Sequence, residues 1–304
     1  MAVVQVTRAL PGAALERLHA EHEVRVWPGE LPPSPDALRD AVRDADGLLC
    51  LLTDRVDRRL LDAAPRLRAI ANYAVGSDNI DLAAARDRGI PVGVTPDVLT
   101  EATADLAFAL LLAAARRLPQ AARDAREGRW RTWEPAGWLG ADVHGAALGI
   151  VGLGRIGRAV ARRAEGFGMS VRSTAKMPLD ELLSSSDFVT LHCPLTERTR
   201  GLIDAAALAR MRSTAVLVNT ARGAIVDQAA LTQALRDGVI AAAAIDVTDP
   251  EPPPPGDPVY STPNLIVAPH IGSATRSARA RMTELSVDNL LAGLAGRPMP
   301  NPAP

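Results

Sequence analysis

Ala147-Leu148-Gly149-Ile150-Val151 is a short apolar run of the kind a parallel sheet buries on both faces. It leads without interruption into Gly152-Leu153-Gly154-Arg155-Ile156-Gly157 and then into a helical stretch, Arg158–Phe167. Few patterns restrict a fold more tightly. Of the three glycines, one permits a tight turn, one lets backbone approach a pyrophosphate, and one lets the helix close on the strand. The helix N-terminus then holds the phosphate charge. A lone G-x-G-x-x-G is weak evidence, but placed between a strand and a helix it reads as a dinucleotide site.

The same strand-then-helix rhythm runs through the rest of the chain. Val3–Val6 leads into a predicted helix over Pro11–His22, Gly47–Leu52 into Asp57–Ala64, and Leu67–Ala71 into Asp81–Arg88, with Pro91–Val94 following. This order predicts parallel sheets with helices on their faces. A long helix is expected over Thr100–Arg117, opened by Thr100 and Glu101 and closed by Arg116 and Arg117 before Pro119. A second α/β rhythm begins at Ala146–Val151 and runs to about Ala268. A last helix, Ser273–Gly293, stops at Gly296 and the prolines beyond it. Pro250–Pro258 is a stiff extended loop, because proline feeds neither a helix nor a central strand.

At 304 residues the chain suits about two domains of ~150 residues each. Its 47% apolar and 23% charged residues exclude disorder. A net charge of −1 offers no basic excess to a nucleic acid. Cys50 and Cys193 stand too far apart for a disulfide scaffold or a four-thiolate zinc site, and fit a reducing compartment. His19 and His22 lack carboxylate or thiol partners at ligand spacing, so no metal is expected. The N-terminus lacks a signal-peptide pattern, and the longest apolar stretch, Leu106–Ala115, is too short to cross a bilayer. The expectation is a cytoplasmic protein with neither nucleic-acid nor membrane partners. Gly128–Gly145 holds Trp130, Trp133 and Trp138, three of the four tryptophans. Either this segment packs on its own domain or it is buried against a second subunit.

Three later strands each end on a polar residue. Ala215–Asn219 is followed by Thr220-Ala221-Arg222-Gly223, Ala241–Ile245 by Asp246 and Glu251, and Leu265–Ala268 by Pro269-His270-Ile271-Gly272. Ligands of open parallel sheets sit outside the carboxyl ends of the strands, so these side chains are expected on one side of one sheet. An arginine there can bind a carboxylate through two parallel hydrogen bonds and polarise a neighbouring carbonyl. His270 can carry the proton that accompanies hydride transfer, and Glu251 beside it would stabilise the imidazolium. Asp246 is expected to hold the nicotinamide carboxamide. The strand after the glycine loop, Ser170-Val171-Arg172-Ser173-Thr174-Ala175-Lys176, lacks the acid that usually meets an NAD ribose. Its hydroxyls and cations suit a 2′-phosphate, although Arg172 and Lys176 also read as solvated surface charges. Cys193, after the strand Phe188–Leu191, is expected to line the cofactor cleft rather than act as a nucleophile.

With these residues in place the sequence resembles the D-isomer-specific 2-hydroxyacid dehydrogenases, and within them the glyoxylate/hydroxypyruvate reductases. The resemblance spans nearly the whole chain. It rests on LLTDRVD at 51–57, AVGSDNID at 74–81, TPDVLTEATAD at 95–105, GLGRIG at 152–157, HCPLT at 192–196, NTARG at 219–223, DVTDPEP at 246–252 and PHIGSAT at 269–275. It implies an α/β fold of two Rossmann-like, doubly wound parallel-sheet domains with a cleft between them. Residues 1–97 plus 278–304 would form the substrate-binding domain and 98–277 the inserted nucleotide-binding domain, in a homodimer. Arg222, Glu251 and His270 would be the catalytic set, with His270 as acid/base. Substrate would meet Leu52, the backbone N–H groups of Val75 and Gly76, Arg222, His270, Ser273, and Trp138 from the partner subunit. Cofactor would meet Thr103, the loop Gly152, Leu153, Gly154, Arg155, Ile156 and Gly157, then Ser173, Thr174, Lys176, Cys193, Pro194, Thr199, Thr220, Ala221, Arg222, Asp246, His270 and Gly272.

The implied reaction is reduction of glyoxylate or hydroxypyruvate, with NADP(H) favoured and NAD(H) the second candidate. Phosphite or another D-2-hydroxyacid dehydrogenase activity is one alternative, and NAD(H)-sensing by a protein resembling the C-terminal-binding-protein corepressors is another. Formate enzymes carry an amide where Glu251 stands, which counts against formate. One departure concerns cofactor preference. Family members usually carry a further helix and strand between the residues matching Lys176 and Leu179, where this chain has only Met177-Pro178.

Overall fold

In the computed structural model, which describes residues 1–304, the chain begins β1 (Val3–Val6), α1 (Leu15–Glu21), β2 (Glu23–Val26), α2 (Pro35–Val42), β3 (Gly47–Cys50), α3 (Arg58–Ala63), β4 (Ala69–Asn72), α4 (Leu82–Asp87) and β5 (Val92–Gly93). It continues α5 (Thr100–Ala115), α6 (Leu118–Arg126), β6 (Ala147–Val151), α7 (Arg155–Glu165), β7 (Ser170–Ser173), α8 (Leu179–Ser185) and β8 (Phe188–Leu191). It ends α9 (Ala205–Arg210), β9 (Val216–Asn219), α10 (Gln228–Arg236), β10 (Ala242–Ile245), β11 (Leu265–Val267) and α11 (Arg276–Leu294). Two units form: Met1–Leu99 with Ala274–Pro304, and Thr100–Ser273. Both are parallel-sheet α/β structures, as the rhythm predicts. No helix is long and apolar enough to cross a membrane.

The first unit holds a five-stranded sheet in the order β2-β1-β3-β4-β5. Its central strands β3 and β4 are buried at every residue. Ser34, Asp57 and Asp81 cap α2, α3 and α4, each accepting a first-turn backbone N–H. Helix α11 returns to this unit and lies close on it, since a Cβ on Gly293 would stand 2.8 Å from that of Ala69. Strand β2 is absent from the predicted rhythm. Its sequence Glu-Val-Arg-Val alternates exposed and half-buried residues, as an edge strand does.

The second unit holds a six-stranded parallel sheet, β11-β10-β9-β8-β6-β7. Strand β9 shows how it is covered: Leu217 points into a core with Leu182, Leu208 and Leu231, and Val216 and Val218 into one with Phe108, Leu111 and Ile150. The long helix stops at Ala115, because Arg117 takes a left-handed backbone (φ 52°) and Pro119 opens α6. Proline suits a first helical turn, where its missing N–H has no partner to lose. Strand β7 is the sheet edge, and Thr174–Pro178 alone joins it to α8. The strand order reverses between β6 and β8, which makes that point the switch of a doubly wound sheet.

His192 extends β8 by donating its N–H to Val151, and its ring shares a 2.9 Å hydrogen bond with the Thr190 hydroxyl. Burial pushes its pKa down from 6.5 to about 4. The unfolded chain therefore takes up a proton near pH 6.5 that the folded chain refuses until near pH 4. Stability should fall by about 2 kcal/mol across that window, allowing for the solvent the residue still meets, and level off below it. Urea unfolding at a series of pH values measures this. His192→Gln should flatten that part of the profile, and an unchanged slope would refute the assignment.

Candidate active site

The glycine loop sits where β6 and β8 diverge. Gly152 has φ 93°, and a Cβ there would lie 2.5 Å from the Cys193 nitrogen. A Cβ on Gly157 would lie 2.3 Å from the Gly152 carbonyl oxygen, so α7 rests directly on the turn. Gly154 differs: nothing stands within 4 Å of the Cβ position, at the residue that caps α7. Two glycines are thus demanded by the loop's own packing, and the third faces open space before a helix N-terminus. That arrangement fits a pyrophosphate. Leu153 and Ile156 are half-buried, and Arg155 is exposed. The buried Thr220 hydroxyl has no partner within the protein, which also fits a ligand there.

On the adenosine side, Ser173 is buried and the Thr174 hydroxyl accepts the Gly152 N–H at 3.1 Å. Lys176 is exposed. The Arg172 guanidinium donates to the Ser185 carbonyl at the end of α8. Thr199 closes its own turn, donating to the Pro194 carbonyl at 2.7 Å and accepting the Thr196 N–H at 2.8 Å.

The acid–base residues come from three neighbouring strand ends. After β9, the Asn219 carboxamide accepts the Ala221 N–H and donates to the Arg222 carbonyl, at 3.0 and 2.9 Å, which shapes the turn carrying Arg222. Gly223 follows because a Cβ there would fall 2.0 Å from the Thr248 backbone. This close approach brings the Arg222 turn against the Glu251 loop. Glu251 accepts the Thr248 N–H at 3.2 Å on one oxygen and meets His270 Nδ1 at 2.5 Å on the other. Burial pushes the Glu251 carboxyl up, but the His270 bond and the charges of His270 and Arg222 outweigh it and hold the group below its usual range. With Nδ1 engaged, Nε2 is the imidazole nitrogen left to exchange a proton.

Asp246, after β10, is buried and turned toward the His270 loop. Its carbonyl accepts the His270 N–H at 2.8 Å, and its two carboxylate oxygens accept those of Ile271 and Gly272 at 2.8 and 2.7 Å. Burial still raises its pKa despite these bonds. Each carboxylate oxygen thus accepts one loop amide and keeps a further lone pair. Gly272 packs against Thr103 and Asp246, with Cβ distances of 3.3 Å to each.

Of the remaining residues, Leu52 lies in a turn of the first unit and Val75 and Gly76 in the loop after β4, while Ser273 ends the second unit. Trp138 donates its indole N–H to Asp124 of α6 at 2.8 Å, whereas Trp130 and Trp133 are 65% and 80% exposed. Asn219 and Gly223, both in the NTARG motif, shape the turn without being candidates from the sequence. Asparagine next to a strand end and glycine after arginine were the available signals.

Replacing the two kinds of glycine should give different outcomes. Gly157→Ala should cost about 2–3 kcal/mol of stability by overpacking, and Gly154→Ala less than about 1 kcal/mol. Chemical denaturation of both variants checks this, and equal losses would contradict the assignment of roles.

Residues 108–272 match the NAD-binding domain of the D-isomer-specific 2-hydroxyacid dehydrogenases. The chain is 50% identical to a glyoxylate reductase of Korarchaeum cryptofilum over 98% of its own length and 94% of that protein's. It is 48% identical to one of Thermococcus kodakarensis, over 95% and 92%. Among solved structures, the TT0316 protein of Thermus thermophilus superposes with a TM-score of 0.93 at 51% identity, covering 99% of this chain and all of that one. An NADPH-dependent glyoxylate/hydroxypyruvate reductase of Sinorhizobium meliloti, in complex with NADP and malonate, does so with 0.88 at 35% identity, covering 99% and 96%. Parallel sheets, a glycine loop at the switch point and a His–Glu pair at the strand ends agree with these matches, and the chain belongs to the D-isomer-specific 2-hydroxyacid dehydrogenase family of oxidoreductases.

Proposed function

We propose that this enzyme reduces a small 2-oxo acid, glyoxylate or hydroxypyruvate, to the 2-hydroxy acid, with NADPH favoured over NADH. The observation that carries the reading is the 2.5 Å contact between His270 Nδ1 and Glu251, formed beside the Arg222 turn. The names of the relatives support the substrate class. A nicotinamide nucleotide, when bound, would supply the hydride. The glycine loop and the first turn of α7 would hold its pyrophosphate, with Thr220 and Cys193 beside them. Lys176 and the hydroxyls of Ser173 and Thr174, with no acid among them, favour a 2′-phosphate.

Arg222 grips the substrate carboxylate with two parallel hydrogen bonds and polarises the adjacent carbonyl. The backbone N–H groups of Val75 and Gly76 also meet the carboxylate, with Leu52 and Ser273 nearby. His270 Nε2 is placed to give a proton to the carbonyl oxygen of the substrate, with Glu251 holding Nδ1. Two copies form a dimer in which Trp138 of each reaches the other's substrate site.

His270→Gln should lower kcat for glyoxylate by roughly 10²–10⁴-fold while nucleotide affinity, read by fluorescence titration, stays nearly constant. Glu251→Gln should lower kcat by about tenfold or more. Arg222→Lys should raise KM by at least about tenfold, because an ammonium cannot make the paired contact. A His270→Gln enzyme as active as the parent would remove the mechanism.

A further inference from the structure

We propose that Asn79, backed by Asn72, is the positioning residue of the substrate-carboxylate pocket, an assignment that rests on the function proposed above. Two loops of the first unit leave the carboxyl ends of the neighbouring strands β3 and β4. The first is the turn bearing Leu52. Asp54 closes it on itself: its N–H donates to the Leu51 carbonyl at 3.0 Å, and its carboxylate accepts the Leu51 N–H at 2.7 Å and the Thr7 hydroxyl. The second loop bears Val75 and Gly76.

The Asn79 side chain joins the two. Its Nδ2 donates to the Leu51 and Asp54 carbonyls, both at 3.0 Å. Its Oδ1 accepts from Asn72 Nδ2 at 3.0 Å, and the same Asn72 nitrogen donates to the Gly76 carbonyl at 2.8 Å. Asn72 is fully buried, so its donors have no water to turn to. Beyond the side chain, the Asn79 carbonyl accepts the Val56 N–H at 2.9 Å. The Gly76 carbonyl is thus drawn inward, while the N–H groups of Val75 and Gly76 enter none of these bonds and Val75 stays exposed. The paired carboxamides fix the spacing between Leu52 and those N–H groups without touching substrate themselves. A carboxamide suits the task because one group donates twice and accepts once; aspartate of the same size cannot donate.

Asn79→Ala should raise KM for glyoxylate, and weaken binding of the unreactive dicarboxylate oxalate, by about tenfold or more. The kcat should stay within about threefold and NADPH affinity within about twofold. Asn79→Asp, which keeps the shape and loses the donors, should behave likewise. Leu38→Ala, a core variant of the same unit, should lower the unfolding temperature without moving KM or oxalate affinity. The inference is overturned if an active parent and its Asn79 variants share the same KM and oxalate affinity, or if Leu38→Ala shifts them equally. A parent that neither turns over glyoxylate nor binds oxalate overturns the underlying functional reading, and this inference with it.

Discussion

The chemistry of this site depends on a buried carboxylate that binds the backbone carrying His270. Asp246 accepts three successive backbone N–H groups, one on its carbonyl and two on its carboxylate, from His270, Ile271 and Gly272. Those bonds hold His270 in the left-handed region, at φ 55°. Such a conformation costs a side-chain-bearing residue of order 1–3 kcal/mol and persists only where the surroundings over-determine it. Here it turns the imidazole so that Nδ1 meets Glu251. The raised pKa of Asp246 is the counterpart: burial makes its ionised form harder to keep, and the amides compensate only in part.

Sheet geometry does the rest. Strands β9, β10 and β11 are neighbours in one parallel sheet, and adjacent strands lie about 4.8 Å apart. Residues leaving three successive carboxyl ends are therefore gathered within roughly 10 Å without any long-range design of loops. Gly223 then removes the last obstacle, allowing the Arg222 turn to pass at contact distance from Thr248. A side chain at that position would separate the guanidinium turn from the loop that carries Glu251.

Much of this was legible in the sequence, and the exceptions have physical causes. Strand β6 is a continuous apolar run and β8 is one interrupted only by Thr190; both are buried at every residue, and their limits match the predicted ones. The three polar strand ends were equally visible, because a parallel sheet leaves its ligand-facing residues at fixed places. Strand β2 escaped because alternation over four residues is short and half charged. Pro119 was read as a stop, although a proline also starts helices, and only the backbone of Arg117 decides between the two. Arg172 reads as a cation free for a phosphate or for solvent, and its bond to the end of α8 is a contact between elements that spacing does not encode. Asp246 is legible as a carboxylate at a strand end. Its direction is set by amides some 25 residues later in the chain, a relation that spacing alone does not encode.

The most direct test is a crystal structure of the enzyme with a nicotinamide nucleotide and oxamate, an unreactive stand-in for the 2-oxo acid. The account requires His270 Nε2 and the Arg222 guanidinium each within about 3 Å of the oxamate oxygens, with Glu251 still on Nδ1. An analogue bound elsewhere, or an imidazole swung away from Glu251 to face solvent, would contradict it.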